Sequence, residues 1–272
     1  MRRLAPLALV LCAGTAFAQD DIADVRATTP SHSPQHFAFE LKFGAYSPDI
    51  DASPGLKGHP FSDLFIPSNS PDAGKGVRPP GRLLTTLEFD WQIWRPFGSI
   101  GLAASVGIMH RYTRAFQYDP FGGSCTVPSC TRSSDEAGLN VMPFALEAVY
   151  RFDVLAERWR IPIVPYFKGG IAYYLWWMTD GRGDLATNMA SLPDGSADRA
   201  IGGTFGLVMH PGIALQLDVI DQSAAQTMDA ELGINHTYLF VEMHYAWITG
   251  FGSDSKINLS DLTWNAGISF EF

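Results

Sequence analysis

From Phe37 onward the chain repeats one pattern, short stretches in which apolar and polar side chains take turns. HFAFELKFGAY opposes Phe37, Phe39, Leu41 and Phe43 to Ala38, Glu40, Lys42 and Gly44. Successive side chains of a strand point to opposite faces, so this spacing specifies a strand whose two sides need different solvents. TLEFDWQIW does the same with Leu87, Phe89, Trp91 and Ile93 against Glu88, Asp90 and Gln92. SIGLAASVGIMHRY sets Ile100, Leu102, Val106 and Ile108 against Gly101, Ala103, Ser105, Gly107 and Met109. NVMPFALEAVYRFD places Phe144, Leu146, Ala148 and Tyr150 opposite Glu147, Val149 and Arg151. IPIVPYFKGGIAYYLWWM places Phe167, Ile171, Tyr173 and Trp177 opposite Tyr166, Lys168 and Tyr174. A Gly-rich sixth segment, IGGTFGLVMHPGIALQLD, leaves its register open. HTYLFVEMHYAWI opposes Leu239, Val241 and Tyr245 to Glu242 and His244, and WNAGISFEF closes the series with Trp264, Ala266, Ile268, Phe270 and Phe272 against Asn265, Gly267, Ser269 and Glu271.

Eight such segments are an even number, and the connections between them alternate in length. They are long at 47–82, 116–137 and 179–200, short at 95–98 and 154–160, intermediate at 219–235, and short again at 250–261. The stretch 221–233 within the intermediate connection reads as a brief helix begun by Asp221 and ended by Gly233. In hydrocarbon every backbone donor and acceptor needs a partner within the protein, so strands cross only as a closed sheet. The fold expected is therefore all-β, an eight-stranded antiparallel transmembrane β-barrel of the outer-membrane type. Its apolar face meets lipid, and Trp91, Trp94, Tyr112, Tyr150, Trp176, Trp177, Trp247 and Trp264 fall near strand ends where interfacial rings belong. A soluble sandwich or lipocalin-like barrel alternates too, but it would have to turn all these aromatics inward.

The first residues agree with export. Met1-Arg2-Arg3, the apolar run Leu4 to Phe17 and Ala16-Phe17-Ala18 read as a signal peptide over 1–18, cut before Gln19. Leu11 before Cys12 disfavours a lipidated cysteine. Residues 19–35 are polar and read as a flexible periplasmic lead-in, which leaves 36–272 as the barrel domain. In an exported chain Cys125 and Cys130, within one Gly/Pro/Ser-rich loop, are expected to form a disulfide. Without Arg2 and Arg3 the balance is 17 basic against 28 acidic residues, which disfavours nucleic acid as a partner.

The polar face carries Glu40, Lys42, Glu88, Asp90, Glu147, Arg151, Lys168, Glu242 and His244. An eight-stranded barrel has an interior that side chains just fill, so these are expected to pair as a plug. Glu40, Glu88, Asp90 and Glu147 are each expected to meet Lys42, Arg151 or Lys168. His110, His210 and His244, with Glu147 and Glu242, are the groups from which a lipid hydrolase would be built, but no nucleophile motif accompanies them. The sequence offers no cofactor motif and no metal set. Asp180 and Asp184 lack calcium-loop spacing, and Arg182-Gly183-Asp184 reads as a surface turn.

The terminal Asn265, Gly267, Phe270 and Phe272 resemble the signal read by the outer-membrane barrel assembly machinery. YRFDVLAERWRIPIVPY (150–166), WWMTDGRGD (176–184) and GINHTYLFVEM (233–243) resemble segments of an uncharacterised outer-membrane β-barrel family found chiefly in myxobacteria. The resemblance covers about 37–272 and implies an outer-membrane barrel with no established activity. The expected function is a non-enzymatic envelope protein, structural or surface-binding, whose partners are outer-membrane lipids and the assembly machinery. A narrow channel for small or apolar solutes is the alternative, and an outer-membrane lipid hydrolase a third.

Overall fold

Period-two alternation is realised as strands that share one continuous ladder. The computed structural model describes residues 36–95, 97–117, 127, 130–159, 161–188, 198–220 and 222–272. The signal peptide, the lead-in, Cys125 and Asp221 lie outside the described residues. The strands are β1 (Phe37–Tyr46), β2 (Arg82–Trp94), β3 (Ser99–Phe116), β4 (Arg132–Arg151), β5 (Ile163–Thr179), β6 (Thr187–Asn188), β7 (Asp198–Arg199), β8 (Ile201–Gln216), β9 (His236–Trp247) and β10 (Asp261–Glu271). Eight of them form a closed antiparallel barrel in the order β1-β10-β9-β8-β5-β4-β3-β2, while β6 and β7 make a two-stranded ribbon in the connection before β8. The ends of the chain's barrel meet where β1 pairs with β10, from Ala38 opposite Glu271 to Gly44 opposite Asn265.

The barrel is inside-out. On β4, Leu146 is 62% exposed and its neighbour Glu147 only 3%; on β2, Trp91 is 51% exposed and Asp90 fully buried. Apolar side chains are exposed on the outside of the eight barrel strands, the arrangement of a transmembrane barrel rather than of a soluble one. No helix among the described residues is long and apolar enough to cross a membrane, which says nothing against crossing by strands. The register of β8 is fixed by Lys168 opposite His210 and Tyr166 opposite Gly212: Thr204, Val208, His210 and Ala214 face inward, Phe205, Met209 and Ile213 outward. One rim aromatic departs from expectation. Trp176 shares the inner face with Tyr174 and packs against the interior apolar cluster, because adjacent Trp176 and Trp177 must take opposite faces.

The two ends of the barrel differ. At the end holding the termini, connections carry α2 (Val154–Trp159) and α3 (Gln222–Leu232). Gly233 ends α3 in a left-handed conformation (φ 69°), its N–H returning to the Asp229 carbonyl at 3.0 Å. At the opposite, loop end, β3 and β4 rise well above β1, with 18 and 20 residues against 10. The connection after β1 folds back there as a strap, and its short helix α1 (Pro60–Phe65) starts at Pro60 with the Asp51 carboxylate accepting from the N–H groups of Phe61 and Ser62, each at 2.8 Å.

Candidate functional site: the barrel interior

Three layers fill the lumen. At the loop end Phe61 and Phe65 of α1 descend into the mouth beside Tyr46, Met109, Tyr174 and Leu259. The Arg111 guanidinium lies over both α1 rings, 5.6 and 5.5 Å from their centroids. Arg132 anchors the strap from outside the layer, donating to the carbonyls of Leu64 (2.8 Å), Asp63 (3.0 Å) and Ile66 (3.0 Å). At the terminal end a second apolar layer contains Val164, Tyr166, Ala214, Tyr238 and Phe240.

Between the two lies the ionic layer, where all nine polar residues singled out from the strand pattern are buried. Lys168 Nζ donates to Glu40 Oε2 and Glu88 Oε1, each at 2.5 Å. Lys42 Nζ reaches Glu88 Oε2 at 2.5 Å, Glu242 Oε1 at 3.2 Å and Glu40 Oε2 at 3.5 Å. Arg151 joins Glu40 at 2.6 Å and, through its other nitrogen, Asp90. Glu242 also accepts from the Tyr166 hydroxyl at 3.0 Å and from Asn265 Nδ2 at 3.2 Å. Charges removed from water are tolerated when each finds partners, and these form one connected network.

Room for the long side chains comes from small ones across the ladder. The inner face of β3 runs Gly101, Ala103, Ser105, Gly107, opposite Gln92, Asp90, Glu88 and Thr86 of β2. A Cβ at Gly101 would collide with Asp90 Oδ1. The sequence thus assigns bulk to one wall and space to the next.

Glu147 departs from the expected pairing with a lysine or arginine. His210 takes it, with Nδ1 2.7 Å from Glu147 Oε2, and His210 Nε2 lies 2.6 Å from His244 Nδ1. His244 Nε2 faces the Tyr174 hydroxyl at 3.3 Å. This chain of groups borders a cavity of about 20 Å³, whose lining includes Lys42, Glu88, Ser105, Glu147, His210 and Asn265. That volume admits about one water molecule, and an acyl ester would not fit. His110 stands apart on the outer face of β3, 2.5 Å from Asn140, so the three histidines do not converge. Among the described residues no group of three or more His, Cys, Asp or Glu is placed to hold a metal ion.

Glu271 and Gln92 belong to the network although the charge pattern did not single them out. Gln92 Nε2 donates to Glu271 Oε1 at 2.8 Å, and the Tyr238 hydroxyl to Glu271 Oε2 at 3.0 Å. Their polar parity in β2 and β10 was the available signal. Below them, at the terminal rim, Asp218 accepts from His236, from Gln216 Nε2 at 2.9 Å and from the Thr237 N–H at 3.2 Å. Burial pushes the Asp218 carboxyl up, but the hydrogen bonds from His236 and Gln216 outweigh it and hold the group below the usual carboxylate range. Of the terminal strand's motif residues, Asn265 is buried in the lumen wall, Gly267 lies against the Leu41 carbonyl, and Phe270 and Phe272 are on the outer face.

No family model matches the chain. No curated protein matches it either. Among solved structures it is similar to the attachment invasion locus protein Ail of Yersinia pestis, with 10% identity, 88% of this chain and 97% of that chain covered, and a TM-score of 0.36. It is similar to the N-terminal β-barrel domain of OprF from Pseudomonas aeruginosa, at 10% identity, 88% and 98% coverage and TM-score 0.35. OprG from the same organism gives 15% identity, 89% and 98% coverage and TM-score 0.44. Likenesses this distant assign neither activity nor partner.

Proposed function

We propose that the chain is an integral outer-membrane protein whose barrel is a sealed, non-enzymatic scaffold for the loop-end connections, which the strand ends place at 47–81, 117–131 and 180–200. The loop end faces outward and the termini face the periplasm, matching the usual disposition of longer and shorter connections. The observation that carries this reading is the packed lumen: among the described residues a connected ionic layer borders a cavity of water size, and apolar side chains lie above and below it. A conductive path would need to break both apolar layers and the ion pairs between them. Surface binding by the loops, export by a signal peptide over 1–18, recognition of Asn265, Gly267, Phe270 and Phe272 by the assembly machinery, and a Cys125–Cys130 bridge complete the proposal.

Planar-bilayer recording tests it. The wild-type barrel gives no unitary steps above background. A Glu88→Ala/Asp90→Ala variant tests whether the carboxylates gate a path. Steps of defined size in the wild-type protein, altered in that variant, would replace the sealed scaffold with the narrow channel. The hydrolase reading is tested by incubating the folded protein with lipopolysaccharide, from which no acyl chain is released.

A further inference from the structure

The ionic layer holds more acid than base. Among the described residues its buried carboxyl groups are Glu40, Glu88, Asp90, Glu147, Glu242 and Glu271, against the cations Lys42, Arg151 and Lys168. Every carboxylate but one lies within ion-pair reach of at least one of those cations. The exception is Glu147, whose partner is the His210 ring. Unbalanced charge is costly away from water, so this interior favours a group that can accept a proton and keep its hydrogen bonds.

The chain Glu147–His210–His244–Tyr174 is such a group, because two hydrogen-bond polarities fit the same atoms. In the first, His210 Nδ1–H donates to Glu147 across 2.7 Å, His244 Nδ1–H donates to His210 Nε2 across 2.6 Å, and the Tyr174 hydroxyl donates to His244 Nε2 across 3.3 Å. One added proton reverses the last two bonds. The hydrogen on His244 Nδ1 crosses to His210 Nε2, the incoming proton fills His244 Nε2, and that N–H donates to the Tyr174 oxygen. All three bonds survive, and the positive charge rests on His210 beside the Glu147 carboxylate. A second added proton would set N–H against N–H between the two rings, so the pair holds one.

The surroundings bear on that proton from every wall of the barrel. Lys168 stands opposite His210 on β5, and Glu242 lies two residues from His244 on β9. Lys42 of β1 and Glu88 of β2 line the adjoining cavity with Glu147, while β3 and β10 bring the uncharged Ser105 and Asn265. Three carboxylates favour the added charge and two ammonium groups oppose it. The cavity has room for about one water to carry a proton in, and the unpaired Asn265 Oδ1 offers that water an acceptor. The far end of the chain reaches the loop-end layer, where the Tyr174 ring lies 6.0 Å from that of Tyr46 under α1. We propose that Glu147, His210, His244 and Tyr174 form a proton-responsive relay, which takes up one proton on acidification at His210 and turns the Tyr174 hydroxyl from donor to acceptor. It goes beyond the scaffold reading by giving the lumen a ligand of its own, the proton.

The test follows the ¹⁵N-histidine resonances of the full-length protein in phosphatidylcholine vesicles by solid-state NMR, from about pH 8 to about pH 5, a span that brackets ordinary imidazole titration. Ring nitrogens with and without hydrogen resonate far apart. The two rings are identified by difference from His210→Gln and His244→Gln; if either variant fails to fold, Tyr174→Phe serves, since it disturbs His244 Nε2 alone. At the upper end His244 Nδ1 carries the hydrogen and His210 Nε2 is bare. At the lower end His210 carries hydrogen on both nitrogens, His244 Nδ1 is bare, and the nitrogen–nitrogen coupling across the pair is present throughout. Glu147→Gln, which removes the charge beside the stored proton, abolishes the change over this range. Nitrogen types that stay the same from end to end overturn the relay, as does a coupling lost while both rings become fully protonated, or a change indifferent to Glu147→Gln. Cold-gel mobility at each pH shows separately that the barrel is inserted and compact, so a failure of membrane placement is not mistaken for a missing relay.

Discussion

Lys168→Met probes the ionic layer where it is most concentrated. The Lys168 side chain is fully buried and its ammonium bridges Glu40 and Glu88 at 2.5 Å each. Removing one partner of a buried ion pair costs about 3–5 kcal/mol, because the remaining charge is stranded in a poor solvent. Here neither carboxylate is left alone: Glu88 retains Lys42 at 2.5 Å and Glu40 retains Arg151 at 2.6 Å. The loss therefore falls at the low end, about 3 kcal/mol, while methionine keeps most of the volume. Adding Glu88→Gln removes one of the two carboxylates that Lys168 served, and a double-mutant cycle should return a coupling of about 2 kcal/mol. Urea unfolding of the vesicle-inserted protein, followed by tryptophan fluorescence and by the loss of compact mobility on a cold gel, measures both values. A single-variant cost below about 1 kcal/mol with no coupling would mean that water screens the lumen, and the reasoning for a sealed interior would fail with it.

Four further outcomes follow from the same geometry. Gly101→Val should destabilise the folded barrel by about 1–3 kcal/mol in the same urea assay, since its side chain would enter the space of Asp90 Oδ1 and of the Trp91 carbonyl 2.7 Å away. Leu146→Arg, on the outer face opposite Ala104 and Ile171, should cost about 2–4 kcal/mol in vesicles, and a null effect would argue against lipid there. Arg132→Ala frees the carbonyls of Asp63, Leu64 and Ile66, so the strap 47–81 should be cut faster by protease while the barrel strands stay intact. Asp218, held below its usual pKa, contributes stability that is complete above the ordinary carboxylate range and is lost as pH falls through its lowered folded-state value; Asp218→Asn should flatten that acid limb of a stability-against-pH curve.

Which parts of this architecture a reader can extract from the sequence depends on how local the cause is. Strand parity is set by adjacent residues, so the inward Glu40, Glu88 and Glu147 and the outward Phe39, Phe89 and Leu146 are visible as letters. In β8 the apolar signal is diluted by Gly202, Gly203, Gly206 and Gly212, and only pairing with β5, fixed by the tertiary ladder, settles which side His210 occupies. The exchange of a lysine for His210 as the partner of Glu147 has the same origin. Trp176 looks like an interfacial ring by composition, yet its parity sends it inward. The α1 plug was not legible because six residues carry too little periodicity to announce a helix, and its seat depends on Arg111 and Arg132 from distant strands. The clamp of Arg78 on Asp261 likewise joins residues 183 positions apart, and no local pattern announces it.

The central claim is that the barrel stands in lipid with its polar face enclosed, and nitroxide scanning of β4 addresses it most directly. Labels placed singly at Phe144, Leu146 and Ala148 in vesicles should relax strongly with dissolved oxygen and weakly with a water-soluble nickel chelate, and labels at the inward-facing Ala145 and Val149 should be shielded from both. Nickel accessibility at Phe144, Leu146 and Ala148 exceeding that of oxygen would place this face in water and contradict the account.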